Sequence, residues 1–321
     1  MSPPRHFDVF NGDADGLCAL HQLRLAAPRT ATLVTGIKRD VGLLERVPAR
    51  AGDAVTALDI SLDTNRDALL RLLANGVRVE YFDHHYAGDI PGHPALRAFI
   101  DTSPGTCTSL IVDRHLAGAQ RIWAIVAAFG DNLGPEARRL ATTLGLADDQ
   151  IGRLRELGES LNYNAYGDSE DDLFIRPADL YAILHRYADP FAFVRAEPVV
   201  RRIGEGRRND MEMARQLRPL HVLPSGSIYV LPDASWSRRV RGVFGNELAT
   251  AAPERAHAVL GPDAQGGYTV SVRAPLAAPR GADSLCRAFP TGSGRSAAAG
   301  INHLPREALP EFIRAFGRIF R

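Results

Sequence analysis

The chain has 321 residues, of which 45% are hydrophobic and 23% charged, and its formal net charge is +1. That length suits two domains with a core each, and the near-neutral charge argues against a protein that tracks long nucleic acid. No apolar run approaches the roughly 20 residues needed to cross a bilayer. The first six residues lead into strand-like sequence without the apolar core of a signal peptide. Cys18, Cys107 and Cys286 are too scattered for a disulfide framework or a CxxC pair, so a reducing cytoplasm is the expected location. Lys38 is the single lysine among 38 basic residues, which reads as a compositional bias toward arginine.

In chain order, the first half alternates strand-like and helix-like runs. Residues 6–10 read as a strand and 16–27 as a helix, with Leu17, Leu20, Leu23 and Leu25 supplying apolar surface. Further strands are expected at 31–35, 54–60, 77–82 and 96–100, and helices at 41–47, 106–116 and 121–129. Asp63 or Thr64 is placed to cap another helix running to Leu73. Such alternation specifies a doubly wound, mainly parallel sheet. Residues 135–197 read helical, broken by a polar stretch at 162–172 whose run Glu170-Asp171-Asp172 is expected to be a solvated loop. The charged stretch 201–218 is a connecting helix or linker. Strands at 227–231, 256–260 and 268–273, with helices near 242–251 and 307–320, make a second α/β unit. The expected organisation is therefore an α/β protein with a domain over 1–195, a helical linker over 196–225 and a smaller α/β domain over 226–321. Charge follows this division: residues 226–321 hold 12 Arg and 7 Asp+Glu, a balance of +5, and the rest of the chain stands at −4.

Four apolar runs end in acidic turns. These are Asn11-Gly12-Asp13-Ala14-Asp15-Gly16, Leu58-Asp59, Asp83-His84-His85 and Phe129-Gly130-Asp131-Asn132. In an open α/β sheet such turns gather beyond the carboxyl ends of the strands, where ligands bind. Asp13 and Asp15 are two apart, so in extended backbone both carboxylates project to one side. Carboxylate oxygens and imidazole nitrogens without nearby cysteines suit manganese, magnesium or cobalt. Each feature also has an ordinary reading: an Asp-rich loop turn for Asp13 and Asp15, a helix cap for Asp59, a surface loop for the glycine-rich segment near residue 294, and a surface ion pair for Arg273.

Taken in order, the four turns resemble the motifs of the DHH phosphoesterase superfamily, which includes RecJ-type exonucleases, bacterial oligoribonucleases, cyclic-dinucleotide phosphodiesterases and family II pyrophosphatases. Asp13 and Asp15 match the first motif, Asp59 the second, Asp83-His84-His85 the third and Asp131 the fourth. Gly292-Ser293-Gly294-Arg295-Ser296-Ala297-Ala298-Ala299-Gly300 is similar to the GGGHxxAAG signature of the associated substrate-binding domain, so the resemblance covers nearly the whole chain. Two positions depart from it. Val9 stands where some members carry a histidine, and Arg295 replaces the histidine of the glycine signature.

The resemblance implies two divalent cations, manganese first with magnesium or cobalt as substitutes, held by Asp13, Asp15, Asp59, His84 and Asp131, with Asp59 bridging. It implies that Asp83 orients a neighbour, that His85 donates to the phosphoryl or leaving oxygen, and that an activated water attacks phosphorus. In the second domain Gly292, Gly294 and Gly300 would turn backbone N–H groups toward an anion, while Ala297, Ala298 and Ala299 let a helix pack behind them. Arg295 and Arg273 would clamp phosphate, and Asn246, Asn302 and His303 would neighbour the substrate, with the connector governing closure. The expected activity is manganese-dependent hydrolysis of short oligonucleotides or small nucleotides. The alternatives are a RecJ-like 5′–3′ exonuclease on single strands, a 3′-phosphoadenosine 5′-phosphate phosphatase, a cyclic-dinucleotide phosphodiesterase, or a non-catalytic nucleotide sensor. A compact chain without an added oligonucleotide-binding barrel favours the short substrates. No membrane partner is expected, and a homodimer is compatible with the sequence.

Overall fold

Five short strands build the first sheet: β1 (His6–Phe10), β2 (Thr32–Val34), β3 (Ala54–Leu58), β4 (Arg78–Asp83) and β5 (Leu96–Ile100). They pair in parallel in the order β2-β1-β3-β4-β5. The register sets Val9, Ala57 and Tyr81 side by side, and Phe10, Leu58 and Phe82 beside them. Successive strand side chains point to opposite faces. The first trio therefore joins an apolar layer with Leu43, Leu44, Leu69 and Leu72, and the second a layer with Leu17, Trp123, Val126 and Leu157. A parallel sheet buried on both faces is the doubly wound fold expected from the sequence. In this computed structural model residues 3–321 are described, and two units, residues 1–205 and 206–321, are distinguished. The division falls inside the charged stretch expected to connect them.

The helices of the first unit are α1 (Ala14–Ala26), α2 (Arg66–Ala74), α3 (Thr108–His115), α4 (Arg121–Gly130), α5 (Gly134–Thr143), α6 (Asp148–Asn164), α7 (Pro177–Leu184) and α8 (Pro190–Ala196); α9 (Pro198–Arg215) crosses the division. Helix α1 begins two residues earlier than expected because the Asp13 carboxylate accepts the N–H groups of Asp15 and Gly16 at 3.0 and 3.2 Å and caps it. Asp13 and Asp15 are thus a cap and a first-turn residue, not two positions of one extended segment. Helix α2 starts after Asn65, whose amide turns away to bond Val41 and Leu44. The run Glu170-Asp171-Asp172 is not wholly solvated: Asp172 is buried and accepts from the N–H groups of Asp168 and Ser169. Between α4 and α6 the backbones nearly touch. A methyl group added at Gly158 would stand 2.1 Å from the Val126 carbonyl, and one at Gly130 would stand 2.4 Å from the Ala14 methyl.

The second unit carries β6 (His221–Leu223), β7 (Gly226–Val230), α10 (Ser235–Ala251), β8 (Ala256–Pro262), β9 (Tyr268–Arg273), α11 (Ala282–Arg287), β10 (Gly292–Arg295), β11 (Ala298–Leu304) and α12 (Leu309–Ile319). Its sheet runs β10-β11-β9-β8-β7-β6, with only β7 and β8 parallel. Ile228, Leu260, Val272, Ile301, Phe312 and Phe316 fill its core. Strand β6 falls within the stretch expected to be a helical linker. The glycine-rich segment is an antiparallel hairpin of β10 and β11, not a loop. No helix among the described residues is long and apolar enough to cross a membrane.

Candidate active site at the carboxyl edge of the first sheet

Strand β2 lies on one side of β1 and β3 on the other, so the winding reverses between β1 and β3. Open sheets bind ligands in the crevice at such a reversal, beyond the strand ends. Asp13 follows β1, Asp59 follows β3 and Asp83 closes β4, so all three stand at this crevice. Asp59 has a positive φ of 59°, a conformation that costs a non-glycine residue of the order of 1–3 kcal/mol. Its N–H donates to the Phe82 carbonyl at 3.0 Å, and the Tyr81 hydroxyl holds the next residue, Ile60, through its carbonyl at 2.9 Å.

His84 is the hub. Its Nδ1 lies 3.0 Å from the Thr106 carbonyl, which can only accept, so Nδ1 carries the proton and Nε2 presents a lone pair. That Nε2 is 3.5 Å from Asp59 Oδ1, 3.9 Å from Asp131 Oδ2 and 4.0 Å from Asp15 Oδ2. Donors around an octahedral cation with bonds of about 2.1 Å are separated by roughly 3 Å when adjacent and 4.2 Å when opposite, and Asp15, His84 and Asp131 form one grouping with metal-ligand spacing. Asp15 is oriented by α3, whose Thr108 and Ser109 N–H groups each donate to one of its oxygens at 2.7 Å. The Thr108 hydroxyl donates to Asp59 Oδ1 at 3.1 Å.

The electrostatics also ask for positive charge. Burial, with the negative charges of Asp15 and Asp13, pushes the Asp131 carboxyl up to about 7. Burial and the charges of Asp15, Asp13 and Asp83 push Asp59 well above the usual carboxylate range. A divalent cation would relieve this crowding directly. A second grouping, Asp59, His84 and His85, also has metal-ligand spacing. It shares His84 with the first, and His85 Nδ1 is bonded to Asp83 Oδ1 at 2.7 Å, which leaves His85 its other ring nitrogen. Burial opposes a charged His85, but that bond and the Asp83 charge outweigh it and raise the imidazole above its ordinary value.

The site includes residues that the motif pattern does not pick out. The Lys38 ammonium donates to Asp13 Oδ2 and, at 2.9 Å, to Asn162 Oδ1 on α6. Burial would lower the Lys38 pKa, but the neighbouring Asp13 carboxylate more than offsets it and keeps the amine charged. Burial likewise opposes ionisation of Asp13, yet Lys38 and the Gly16 N–H hold it below the usual carboxylate range. The one signal in the sequence was that an arginine-rich chain keeps a single lysine. Thr106, Thr108, Ser109 and Asn162 had none.

In the second unit, Arg273 and Arg295 are both in register with Ala298, so they occupy one end of β9, β11 and β10. Arg273 Nε donates to Asn246 Oδ1 at 2.6 Å and Nη2 to the Gly242 carbonyl at 3.4 Å, both on α10. Gly294 has a φ of 134°, and a methyl group there would lie 2.5 Å from Ala299 Cα. One at Gly292 would lie 1.8 Å from the Cys286 carbonyl, which is where α11 packs on the hairpin. Gly300 sits between Ser293 and Ser271. Asn302 and His303 are four and five residues along β11 from Ala298, about 13–17 Å away. There His303 Nδ1 meets Asp263 Oδ2 at 2.7 Å. The arginine pair and the Asn302–His303 pair therefore occupy opposite ends of the sheet.

No protein-family model matches the sequence, and neither does any curated protein. Solved structures do match. The exonuclease RecJ bound to manganese superposes with a TM-score of 0.66 and 20% identity, over 98% of this chain and 89% of that one. RecJ of Thermus thermophilus in complex with Mn²⁺ matches at 0.58 and 20%, over 98% of this chain and 51% of the other, so this chain spans about half its length. The pGpG-specific phosphodiesterase PggH of Vibrio cholerae matches at 0.56 and 14%, over 98% of both chains. Strand order, crevice and chain-long superposition agree: the chain has a RecJ-like fold.

Proposed function

We propose that the chain is a phosphoric ester hydrolase that cleaves short oligonucleotides or small nucleotides with a divalent cation, manganese first. The observation that carries this reading is the convergence of Asp15, Asp59 and Asp131 oxygens within 4.0 Å of the free His84 Nε2. A buried ring of carboxylates around one imidazole lone pair has little use except to hold a cation. Asp15, Asp59, His84 and Asp131 would hold it, with Asp13 beside them, and when bound it would supply Lewis-acid activation of water and neutralise the phosphoryl oxygens. The residues of the chain do the rest. The α3 N-terminus and Thr108 fix Asp15 and Asp59 in place, and His84 is locked in one tautomer by Thr106. His85, bonded to Asp83 and partly exposed, would donate a proton to the leaving oxygen.

A modest net charge and a chain matched end to end by a phosphodiesterase for pGpG, itself a dinucleotide, support short substrates. The superposition on RecJ favours a second reading, an exonuclease acting on longer single strands. One assay separates them. With Mn²⁺, dinucleotides, a long single strand, cyclic dinucleotides and 3′-phosphoadenosine 5′-phosphate are offered in parallel. Turnover of dinucleotides, abolished by chelator and by Asp59→Asn, is the expected outcome. Degradation of the long strand alone would assign the RecJ-like activity, and hydrolysis that survives chelation would end the cation-dependent reading.

A further inference from the structure

The amino edge of the first sheet carries a polar pocket of its own. On the face that α1 and α3 cover, His6, Ala54 and Arg78 lie side by side at that edge, and Glu80 pairs with Arg97 one step inward. Helix α1 reaches back to the edge through Arg24, which bonds Asp8. Helix α3 has only 8 residues. Its last residue, His115, meets the Phe82 and Phe99 rings at 5.2 and 4.8 Å, so its cover stops there. Over the strand positions that it leaves bare opens a pocket of about 320 Å³, whose lining includes His6, Arg29, Ala54, Arg78, Ala95 and Arg97. Asp59 and Asp83 lie five positions beyond Ala54 and Arg78, roughly 17 Å along the strands, so this pocket is separate from the catalytic crevice.

The charges of the pocket do not cancel. Asp8, buried beneath it, is matched by Arg24, whose Nε and Nη2 both donate to its carboxylate. Glu80 is the one carboxylate in the lining, and Arg97 takes it at 2.8 Å. Arg29 and Arg78 are left without a carboxylate among the described residues. Arg29 is anchored on an imidazole instead, its Nη1 3.0 Å from His6 Nδ1. A guanidinium can only donate, so His6 turns the Nδ1 lone pair to Arg29 and carries its proton on Nε2. That nitrogen stands 2.9 Å from Thr56 Oγ1 and 3.2 Å from Asp8 Oδ1. The Arg29 fork is thus held from behind by a chain that ends on a buried ion pair, and its other N–H groups remain for the pocket. The Arg78 guanidinium makes no hydrogen bond to the described residues and shares the same lining.

We propose that this pocket binds a small phosphomonoester, with its phosphate on Arg29 and Arg78 and the rest of the molecule against Ala54, Pro94 and Ala95. A phosphate dianion matches unpaired guanidinium forks in charge and in donor geometry. The volume stands at the lower end of the roughly 300–1,000 Å³ typical of small-molecule sites, which suits a sugar phosphate or a mononucleotide and not a polymer strand. The site is independent of the cation centre and of which phosphoester is cut there.

The test reads binding and not turnover, so it stands or falls apart from the hydrolase reading. The full chain, treated with chelator, is titrated calorimetrically with ribose 5-phosphate, AMP, inorganic phosphate and a long single strand. An ester is expected to bind, and Arg29→Gln and Arg78→Gln are each expected to weaken it about tenfold, the cost of one charge-assisted hydrogen bond. Both side chains are exposed, so neither variant should change the melting temperature. A second measurement needs no variant: the same ester should protect Arg29 and Arg78 of the unmodified chain from phenylglyoxal, located by peptide mass spectrometry. Unchanged affinity in both variants, or no protection of either arginine, would overturn the proposal and place any bound ester elsewhere on the chain. Inorganic phosphate bound as tightly as both esters would reduce the pocket to a bare anion site and overturn the ester assignment. Protection by the single strand alone would assign the pocket to nucleic acid instead.

Discussion

Asp83 and His85 show how two neighbouring side chains can divide one task. Asp83 is fully buried, and its second oxygen has no partner among the described residues, so its charge is directed at the His85 ring. Asp83→Asn removes the carboxylate that outweighs burial, so the His85 pKa should fall below its ordinary value and the proton should be lost at lower pH. The expected result is an alkaline limb of kcat/KM displaced toward acid, with turnover at pH 8 down on the order of 10²-fold. A pH–rate profile that does not move would show that His85 carries no proton to the leaving group. The aspartates of the site were legible one by one, because each closes an apolar run and such turns collect at one sheet edge. Lys38 and Asn162 were not legible. Lys38 reaches Asp13 from 25 positions away along the chain, and Asn162 reaches Lys38 from 124, and no local pattern marks either residue.

Among the elements, the glycine seam of α1, α4 and α6 positions the chemistry at a distance. Gly130 and Gly158 let these helices meet backbone to backbone, which sets Asp131 at the end of α4 beside Asp15 and carries Asn162 on α6 to Lys38. Gly158→Ala forces a methyl group against the Val126 carbonyl. A loss of about 1–3 kcal/mol in a denaturant melt is expected, the usual range for overpacking. Mn²⁺ affinity should weaken with it, because the shift is passed to Asp131 and Asn162. A variant of ordinary affinity would mean that α4 relaxes without moving its end. The helix starts also carry function here: the Asp13 cap and the α3 N–H groups on Asp15 are ordinary capping contacts that also fix the site. Sequence periodicity located most of these helices, but it missed α11 and β6 and assigned no strand to β10 or β11. Glycine and alanine runs are compatible with all three conformations, and only the neighbouring strand β9 and helix α11 decide among them.

At the scale of the folded molecule, one buried group outside the site should govern acid stability. His21 is fully buried, with its Nε2 2.9 Å from the Tyr187 carbonyl, its ring edge-on to Trp123, and no partner for Nδ1 among the described residues. Burial, opposed only in part by that carbonyl, pulls its pKa down to about 3. A depressed histidine contributes stability that is fully present above its unfolded pKa near 6.5 and is lost as pH falls toward the folded value. The chelated protein should lose up to about 5 kcal/mol from this group between pH 6.5 and 3. In denaturant melts across that range, the difference between the natural chain and His21→Phe should shrink by a comparable amount, whereas a constant difference would mean that His21 does not titrate. The sequence by itself determined the α/β alternation, the parallel sheet and the order of the acidic turns, because hydrophobic period and turn chemistry are local. Only the tertiary structure decided that Asp13 is a helix cap held by a lysine, that one imidazole lone pair faces three carboxylates, and that the two arginines and the Asn302–His303 pair lie at opposite ends of a sheet. Those facts depend on strand order and register, and pairing energies between distant segments leave no periodic trace along the chain.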